Sequence, residues 1–335
     1  MFCDAELDHS GWTPYTLTLL SDLAARLPFE EAAVVANNFG LEVSKSELER
    51  LTAPLAGACR EATFELLTNS LPADTGRERI SRVIKGRAGR LMILEIDGVV
   101  TLGKPLLGQC GGIEIKTVAL YPLLTPSERR VIADVRSAEE LRAAIRGLLE
   151  ETGVTAEDTL VGLGDGAAWV EDTLDTFCDV SITDCYHAAQ YLEEVMLALG
   201  WGDAKRLEVR QVFCRGEIDV KEFLAEQLPP PEVWLTWEEE ARTALRYLEE
   251  RNSRMRYPHF KEQGYPLGSG VIEGLNKSVI GSRMKRSGMQ WSRPGAARMA
   301  ALRAWVVSKH KLLSFNEIRH QAYPPPSLET LASSP

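Results

Sequence analysis

Two aspartates occur where strands are predicted to end, which is a position suited to chemistry. Asp97 follows the apolar run 91–96 and precedes a glycine, and Asp165 has the same context after residues 160–164. Open α/β sheets hold their functional sites at the carboxyl ends of their strands. An ordinary Asp-Gly turn also explains each aspartate taken alone. Taken together, two carboxylates at strand ends of one sheet could converge on a hard cation.

A third carboxylate, Glu273, lies near the start of a predicted helix within a strongly basic segment. It is expected either to pair with Lys277, four residues later on the same helix face, or to ligate a metal. Carboxylates without paired cysteines or histidines suit Mg²⁺ or Mn²⁺. Two such ions about 3.5–4 Å apart can activate a nucleophile and stabilise the leaving oxygen of a phosphoryl displacement. Asp97, Asp165 and Glu273 are therefore candidate ligands for such ions, with Asp-Gly turns and a local ion pair as the alternatives.

The charge of the chain is unevenly distributed, which bears on its partner. The 335 residues carry a formal net charge of −10. Residues 253–321 alone hold thirteen Lys and Arg against three Glu, a net charge of +10, so the remainder carries −20. A localised basic segment on an acidic body indicates a polyanion-binding surface, although a solvated basic helix face gives the same count. Beside three carboxylates, it favours phosphodiester chemistry on nucleic acid.

A further cluster, Asp184-Cys-Tyr-His187, follows the predicted strand 180–183. His187 is predicted to orient a phosphate or a neighbouring group, and the alternative is a histidine packed at a helix N-terminus. Cys178 and Cys185 lie near it, but their spacing fits no usual zinc module.

Cysteine usage and hydropathy predict where the protein works. Its six cysteines are scattered without a CxxC pair, and no secretory signal pattern follows Met1. Reduced thiols and a cytoplasmic location are therefore expected. The longest uncharged apolar runs fall far short of the about 20 residues that a membrane helix needs.

The elements predicted around these residues are those of an α/β fold with a mixed sheet. Residues 1–68 are predicted to be helical, with a helix-turn-helix outline around Gly40; DNA reading and plain helical packing both remain open for this region. The predicted strands are 91–96, 113–124, 131–135, 159–163 and 180–183.

Several short motifs occur in the order and spacing of one enzyme family. They are Glu95-Ile-Asp97-Gly-Val, Glu114-Ile-Lys116, Gly164-Asp-Gly-Ala-Ala-Trp169, Asp184-Cys-Tyr-His187, Pro266-Leu-Gly-Ser-Gly-Val-Ile-Glu273, Asn276-Lys277 and Arg283-Met-Lys-Arg-Ser-Gly-Met-Gln-Trp291-Ser. On these motifs the chain resembles the DDE transposases of bacterial insertion sequences, most closely the ISKra-type group. The resemblance covers roughly residues 90–305.

The resemblance implies an RNase H-like mixed sheet flanked by helices, with a helical insertion and an N-terminal all-helical region. The expected divisions are a helical region at 1–68, the first part of the catalytic core at 88–200, a helical insertion at 201–262, a basic closing segment at 263–313 and a tail at 314–335.

The same resemblance implies metal-dependent DNA cleavage and strand transfer, with two Mg²⁺ or Mn²⁺ ions held by Asp97, Asp165 and Glu273. Asp184 and His187 are expected to support the positioning of the DNA strand. The implied partner is double-stranded DNA, both element ends and target, and a homodimer or larger oligomer is expected on it. The predicted DNA contacts are Lys277, Arg283, Lys285, Arg286, Trp291 and Arg293.

Two other interpretations remain open. Family members commonly carry a longer, cysteine-rich N-terminal region, so one expectation is an N-terminally truncated copy that binds DNA without cleaving it. The segment 95–98 also resembles the first motif of haloacid-dehalogenase-like phosphatases, whose nucleophile is an aspartate two residues before the acid/base aspartate. Here Glu95 stands at that position, and its longer side chain would misplace the attacking oxygen by about 1 Å, which can cost about 10²-fold in rate.

Overall fold

A computed structural model describes residues 11–69, 89–105 and 111–324. Its strands are β1 (Leu91–Leu102), β2 (Gly112–Pro122), β3 (Arg130–Asp134), β4 (Thr159–Gly164) and β5 (Val180–Thr183). They form one sheet in the order β3-β2-β1-β4-β5. β4 runs parallel to β1 and β5 parallel to β4, whereas β3 is antiparallel to β2. The predicted α/β class with a mixed sheet is therefore confirmed.

Helices make up most of the remaining described chain. They are α1 (Pro14–Arg26), α2 (Phe29–Asn38), α3 (Lys45–Asn69), α4 (Ala138–Glu151), α5 (Ala168–Phe177), α6 (Cys185–Ala198), α7 (Asp203–Cys214), α8 (Val220–Gln227), α9 (Pro231–Trp234), α10 (Glu239–Glu250), α11 (Tyr257–Glu262), α12 (Gly270–Asn276), α13 (Ser282–Met284), α14 (Arg293–Val307) and α15 (Phe315–Ala322). Short 3₁₀ turns occupy Pro126–Glu128 and Asn252–Arg254, and one π turn, Lys277–Gly281, separates α12 from α13.

The chain divides into two compact units. The first comprises the described parts of 1–85, 98–156 and 272–335, and the second comprises the described parts of 86–97 and 157–271. The boundary within β1 falls between Asp97 and Gly98. Asp97 and Asp165 therefore belong to the second unit, whereas Glu273 belongs to the first.

In the first unit, the three N-terminal helices enclose a common apolar core. The Thr13 hydroxyl accepts from the Thr16 backbone N–H, and Pro14 occupies the first turn, so the sequence itself starts α1. Leu17 and Leu20 on α1 pack in one cluster with Leu48 and Leu51 of α3 and with alanines of α2. The apolar face of α1 therefore packs against α2 and α3.

In the second unit, the helices after β5 pack around α6. α10 and α7 both contact α6. Tyr257 at the start of α11 is fully buried, donates its hydroxyl to the Thr183 carbonyl at the end of β5, and meets the Phe213 ring edge-on at 5.0 Å. Residues from 203 onward thus reach back to the strand end that precedes Asp184.

β1 differs from its sequence-based prediction because it does not stop at Ile96. The strand continues through Asp97 and Gly98 to Leu102. Val99, Val100 and Thr101 are β-branched and favour extended backbone, so a single glycine does not end the strand. Asp97 consequently lies inside a long strand rather than in a turn after a short one.

Candidate functional site

Asp97 lies within β1, and Asp165 directly follows the last residue of β4, the parallel neighbour of β1. Leu91 of β1 pairs with Thr159 of β4, and the pairing continues without a shift to Glu95 and Leu163. Asp97 and Asp165 each come two residues after this last pair, so both lie near the carboxyl end of the paired stretch. Both residues are partly buried. Because neighbouring strands lie about 4.8 Å apart, two carboxylates at this level are suitable donors for one hard cation.

The backbone around Asp165 is held in a turn that only glycine neighbours allow. Gly166 has φ of +84°, and a Cβ added there would lie 2.2 Å from the Tyr247 hydroxyl oxygen. A Cβ on Gly164 would lie 2.3 Å from Val170 Cγ1. Asp165 Oδ1 accepts a hydrogen bond from the Ala167 backbone N–H at 2.9 Å. This bond does not involve the second carboxylate oxygen, Oδ2. The Asp-Gly turn interpretation and a role as a cation donor are therefore compatible.

Tyr247 supports this turn and was not singled out by the sequence analysis. Its hydroxyl donates to the Asp165 carbonyl at 2.9 Å, and its ring stacks on Tyr191 with centroids 3.7 Å apart. The Arg251 guanidinium lies 4.4 Å from the centroid of the same ring. No local motif marks this tyrosine, because its contact with Asp165 depends on the packing of α10 against α6.

Asp184 is a buried helix cap, and its predicted support of the DNA strand stays a prediction. Its Oδ1 accepts from the His187 backbone N–H at 2.8 Å, which caps α6. Its Oδ2 accepts from the Ser269 N–H at 2.5 Å and the Ser269 hydroxyl at 2.7 Å. The Asp184 N–H donates to the Gly164 carbonyl at 2.8 Å. Both carboxylate oxygens are therefore used to join the end of β4, the start of α6 and the segment before α12.

His187 lies in the first turn of α6 and is partly buried. Its ring centroid is 6.2 Å from that of Tyr191, with the planes tilted by 55°. Tyr191 in turn stacks on the tyrosine that supports the Asp165 turn. The imidazole is thus linked to the Asp165 region through aromatic packing, while its predicted contact with DNA stays a prediction.

Glu273 makes the local ion pair that the sequence left as one of two alternatives. Lys277 Nζ lies 3.6 Å from Glu273 Oε2, and the two side chains are 80% and 50% exposed. Exposed pairs of this kind typically contribute at most about 1 kcal/mol, so the pairing itself does not bar a second role for the carboxylate. Over the ranges that the structure describes, no group of three or more His, Cys, Asp and Glu side chains is arranged to hold a metal ion. The metal-ligand role predicted for Asp97, Asp165 and Glu273 stays a prediction.

Arg283 contradicts its prediction as a DNA contact because its side chain is buried. Only 1% of it is exposed, and its Nε donates to the Ala24 carbonyl at 3.0 Å. Its guanidinium lies over the rings of Phe29 and Trp291, 5.0 and 5.4 Å from their centroids. Burial lowers the pKa of Arg283 to about 10, so the group stays charged at neutral pH. Because α1 ends at Arg26, Ala24 has one of the carbonyls without an intrahelical partner, and Arg283 caps it.

Arg303 on α14 also donates a hydrogen bond to a carbonyl at the end of α1. Its Nη1 donates to the Ala25 carbonyl at 2.7 Å, its Nε to the Val279 carbonyl at 3.0 Å, and its Nη2 to the Ser282 hydroxyl at 3.2 Å. Burial lowers the pKa of Arg303 to about 10. Two buried arginines of the basic segment thus act as a C-terminal cap for α1.

Trp291 has a structural position in the same unit. Its indole Nε1 donates to the Met284 carbonyl at 2.9 Å, and its backbone forms an isolated bridge with Gly103, just beyond β1. The ring is partly buried. These contacts account for the tryptophan without a nucleic-acid partner, and its predicted DNA contact stays a prediction.

The other predicted DNA contacts have exposed side chains: Lys277, Lys285, Arg286 and Arg293. Arg286 Nη1 lies 2.6 Å from Glu31 Oε1. Arg293 Nη2 donates to the Val135 carbonyl at 2.8 Å. Burial and ion pairs therefore make the accessible positive charge of this segment smaller than the +10 read from its sequence.

Comparison with known proteins identifies no family. A scan against protein-family models finds no match. Over 134 residues, 39% of this chain and 75% of the relative, the chain is 25% identical to the large ribosomal subunit protein uL10 of Gloeothece citriformis (strain PCC 7424). Identity at this level over part of the chain does not establish a shared family. Separately, no helix in the described ranges combines the length and apolar character needed to cross a lipid bilayer.

Proposed function

We propose that this chain is a DNA transposase of the DDE type, which cleaves DNA in a metal-dependent reaction and transfers the strand. The observation that carries the proposal is the parallel pairing of β1 with β4, because Asp97 and Asp165 each come two residues after its last pair. An RNase H-like core is part of the proposal, and the sheet order with its antiparallel and parallel pairs supports it. The motif order from Asp97 through Glu273 to Trp291 is the second line of support.

In the proposed reaction, a phosphodiester at each element end is hydrolysed and the freed 3′-hydroxyl then attacks target DNA. Asp97 and Asp165 would hold the cation, and the family resemblance implies Glu273 as a third ligand. A bound Mg²⁺ or Mn²⁺ would supply Lewis-acid stabilisation of the developing negative charge on phosphate oxygens. Tyr247 keeps the Asp165 carboxylate in place by fixing its backbone carbonyl. Asp184 holds the segment that leads into α12.

The proposed partner is double-stranded DNA, bound by a dimer or larger oligomer. Lys285 is the best-placed phosphate contact of the predicted set, because its side chain is exposed. Lys277 and Arg286 are also exposed, but each would first have to leave a carboxylate partner. Breaking these two ion pairs costs little free energy, since exposed ion pairs contribute little to stability.

One observation favours the non-catalytic alternative. The Glu273 carboxylate is paired with Lys277 and would have to leave this partner before it could ligate a cation. A protein that binds DNA without cleaving it is therefore the second candidate function.

A cleavage assay separates the two candidates. The full chain is incubated with Mn²⁺ and a DNA duplex carrying the inverted repeats that flank its coding region. We expect nicking by the wild type, loss of nicking in Asp97→Asn and Asp165→Asn, and full activity in the control Asp203→Asn, whose side chain is 96% exposed on α7. Shifted but uncut DNA would instead support the non-catalytic candidate. Failure to bind DNA at low salt, where phosphate contacts are strongest, would refute both.

A further inference from the structure

Two cysteines that the proposed function does not use lie against each other in the second unit. Cys185 begins α6 and Cys214 ends α7. The Cys185 thiol points to the Cys214 carbonyl at 3.7 Å, and the Cys214 thiol points to the Cys185 carbonyl at 3.7 Å. Both are free thiols. Each sulfur thus lies against the main chain of the other residue, which brings the two cysteines close together.

The two thiols differ in access and in acidity. Cys185 is 1% exposed, whereas Cys214 is partly exposed. The adjacent Cys185 thiol lowers the pKa of Cys214 and the positive charge of Arg210 acts in the same direction, whereas burial and the Asp184 carboxylate oppose the shift without reversing it. The adjacent Cys214 thiol, together with burial, raises the pKa of Cys185. A reactive cysteine is typically a partly exposed thiol with a lowered pKa, and Cys214 has both properties.

We propose that Cys185 and Cys214 form a reversible redox modification site, in which a low-molecular-weight disulfide oxidises the pair to an intrachain disulfide. In the first step, the Cys214 thiolate attacks one sulfur of the oxidant, breaks its S–S bond and releases one thiolate. In the second step, Cys185 loses its proton and attacks Cys214 Sγ, which expels the second thiolate. The two cysteine sulfurs are oxidised, and one oxidant disulfide is reduced to two thiols, which take up the two protons released.

The location gives this modification a structural consequence. Cys185 directly follows Asp184, the buried cap that holds Ser269. Its own backbone N–H donates to the Leu267 carbonyl at 2.9 Å. A cross-link to the end of α7 would therefore form at the point where α6 anchors the segment before α12. Transient disulfides of this kind are compatible with a reducing cytosol, where they act in redox sensing.

The test maps thiols in the full-length chain after exposure to oxidised glutathione. Remaining thiols are alkylated with iodoacetamide, and peptides are identified by mass spectrometry before and after reduction with dithiothreitol. We expect a cross-linked peptide joining Cys185 to Cys214, the loss of two alkylatable thiols, and their recovery on reduction. Cys59 is the internal control: burial raises the pKa of its thiol to about 12, so it should remain a thiol.

Two variants test the assigned order of attack. In Cys185→Ser the second step is blocked, so a mixed disulfide of glutathione should accumulate on Cys214. In Cys214→Ser the buried Cys185 should stay unmodified. The proposal is overturned if the oxidised wild type retains both thiols in alkylatable form, or if glutathione accumulates on Cys185 instead. Because the wild-type map needs no substitution, a variant that fails to fold does not remove the test. None of these outcomes depends on DNA cleavage.

Discussion

The buried arginine cap of α1 leads to a quantitative prediction for Arg303→Met. Arg303 is 5% exposed and donates three hydrogen bonds, of which two end on the carbonyls of Ala25 and Val279. Methionine keeps an apolar stem of similar length but removes all the donors. The substitution thus isolates the hydrogen bonds from most of the packing.

The expected loss is about 3 kcal/mol in the free energy of unfolding. Each buried carbonyl left without a donor costs about 1–3 kcal/mol. Part of this loss is offset because a charge no longer has to be buried, which is the effect that lowers the pKa of Arg303 to about 10. The loss should fall on α1, since Ala25 lies in its last turn and the neighbouring cap Arg283 remains.

Urea unfolding followed by circular dichroism measures the global effect. The chain divides into two compact units, so a single global transition does not report on α1 alone. Hydrogen exchange at residues 14–26 measures the local effect. We expect faster exchange over α1 in Arg303→Met, and less than about 0.5 kcal/mol of change in the exposed control Lys309→Met. A variant as stable as the wild type, with unchanged exchange in α1, would refute the capping role.

Three further predictions concern the site and its surroundings. Gly166→Ala should destabilise the second unit by about 2 kcal/mol, because its φ is +84° and the new Cβ would meet the Tyr247 hydroxyl; an unchanged melting temperature would contradict the strained turn. Asp184→Ala should cost about 2 kcal/mol by removing the α6 cap and the two bonds from Ser269, whereas a loss below about 0.5 kcal/mol in urea unfolding would show that the cap is dispensable. Lys285→Ala should flatten the salt dependence of DNA affinity by about 0.9 in log–log slope, and Arg283→Met should leave that slope unchanged; the opposite pattern would return Arg283 to the DNA surface.

The strands could be predicted because their signal is local. The β5 prediction, 180–183, coincides with the observed strand, and the predicted β4 differs from the observed one by a single residue. Short apolar runs bounded by turn residues produce this agreement. β1 was predicted too short because Asp97-Gly98 was taken as the end of the strand. The β-branched residues 99–101 favour extended backbone strongly enough to continue the strand past that glycine.

The basic segment was harder to interpret because composition does not report burial. Arg283 and Arg303 bond to main-chain carbonyls 259 and 278 residues away, at the end of α1. A carbonyl partner carries no side-chain signature, so the two arginines look like surface charge in the sequence. Tyr247 is a similar case, since its partner is the main chain of Asp165, 82 residues away.

Whether Asp97 and Asp165 hold one cation together is tested most directly by calorimetric titration of the full chain with Mn²⁺. Asp165→Asn is the critical variant, because an asparagine oxygen can still accept the Ala167 N–H and so preserve the turn. We predict that the wild type and Asp203→Asn bind Mn²⁺, and that Asp97→Asn and Asp165→Asn each lose the same binding event. If either variant binds Mn²⁺ as the wild type does, the two aspartates do not form one site.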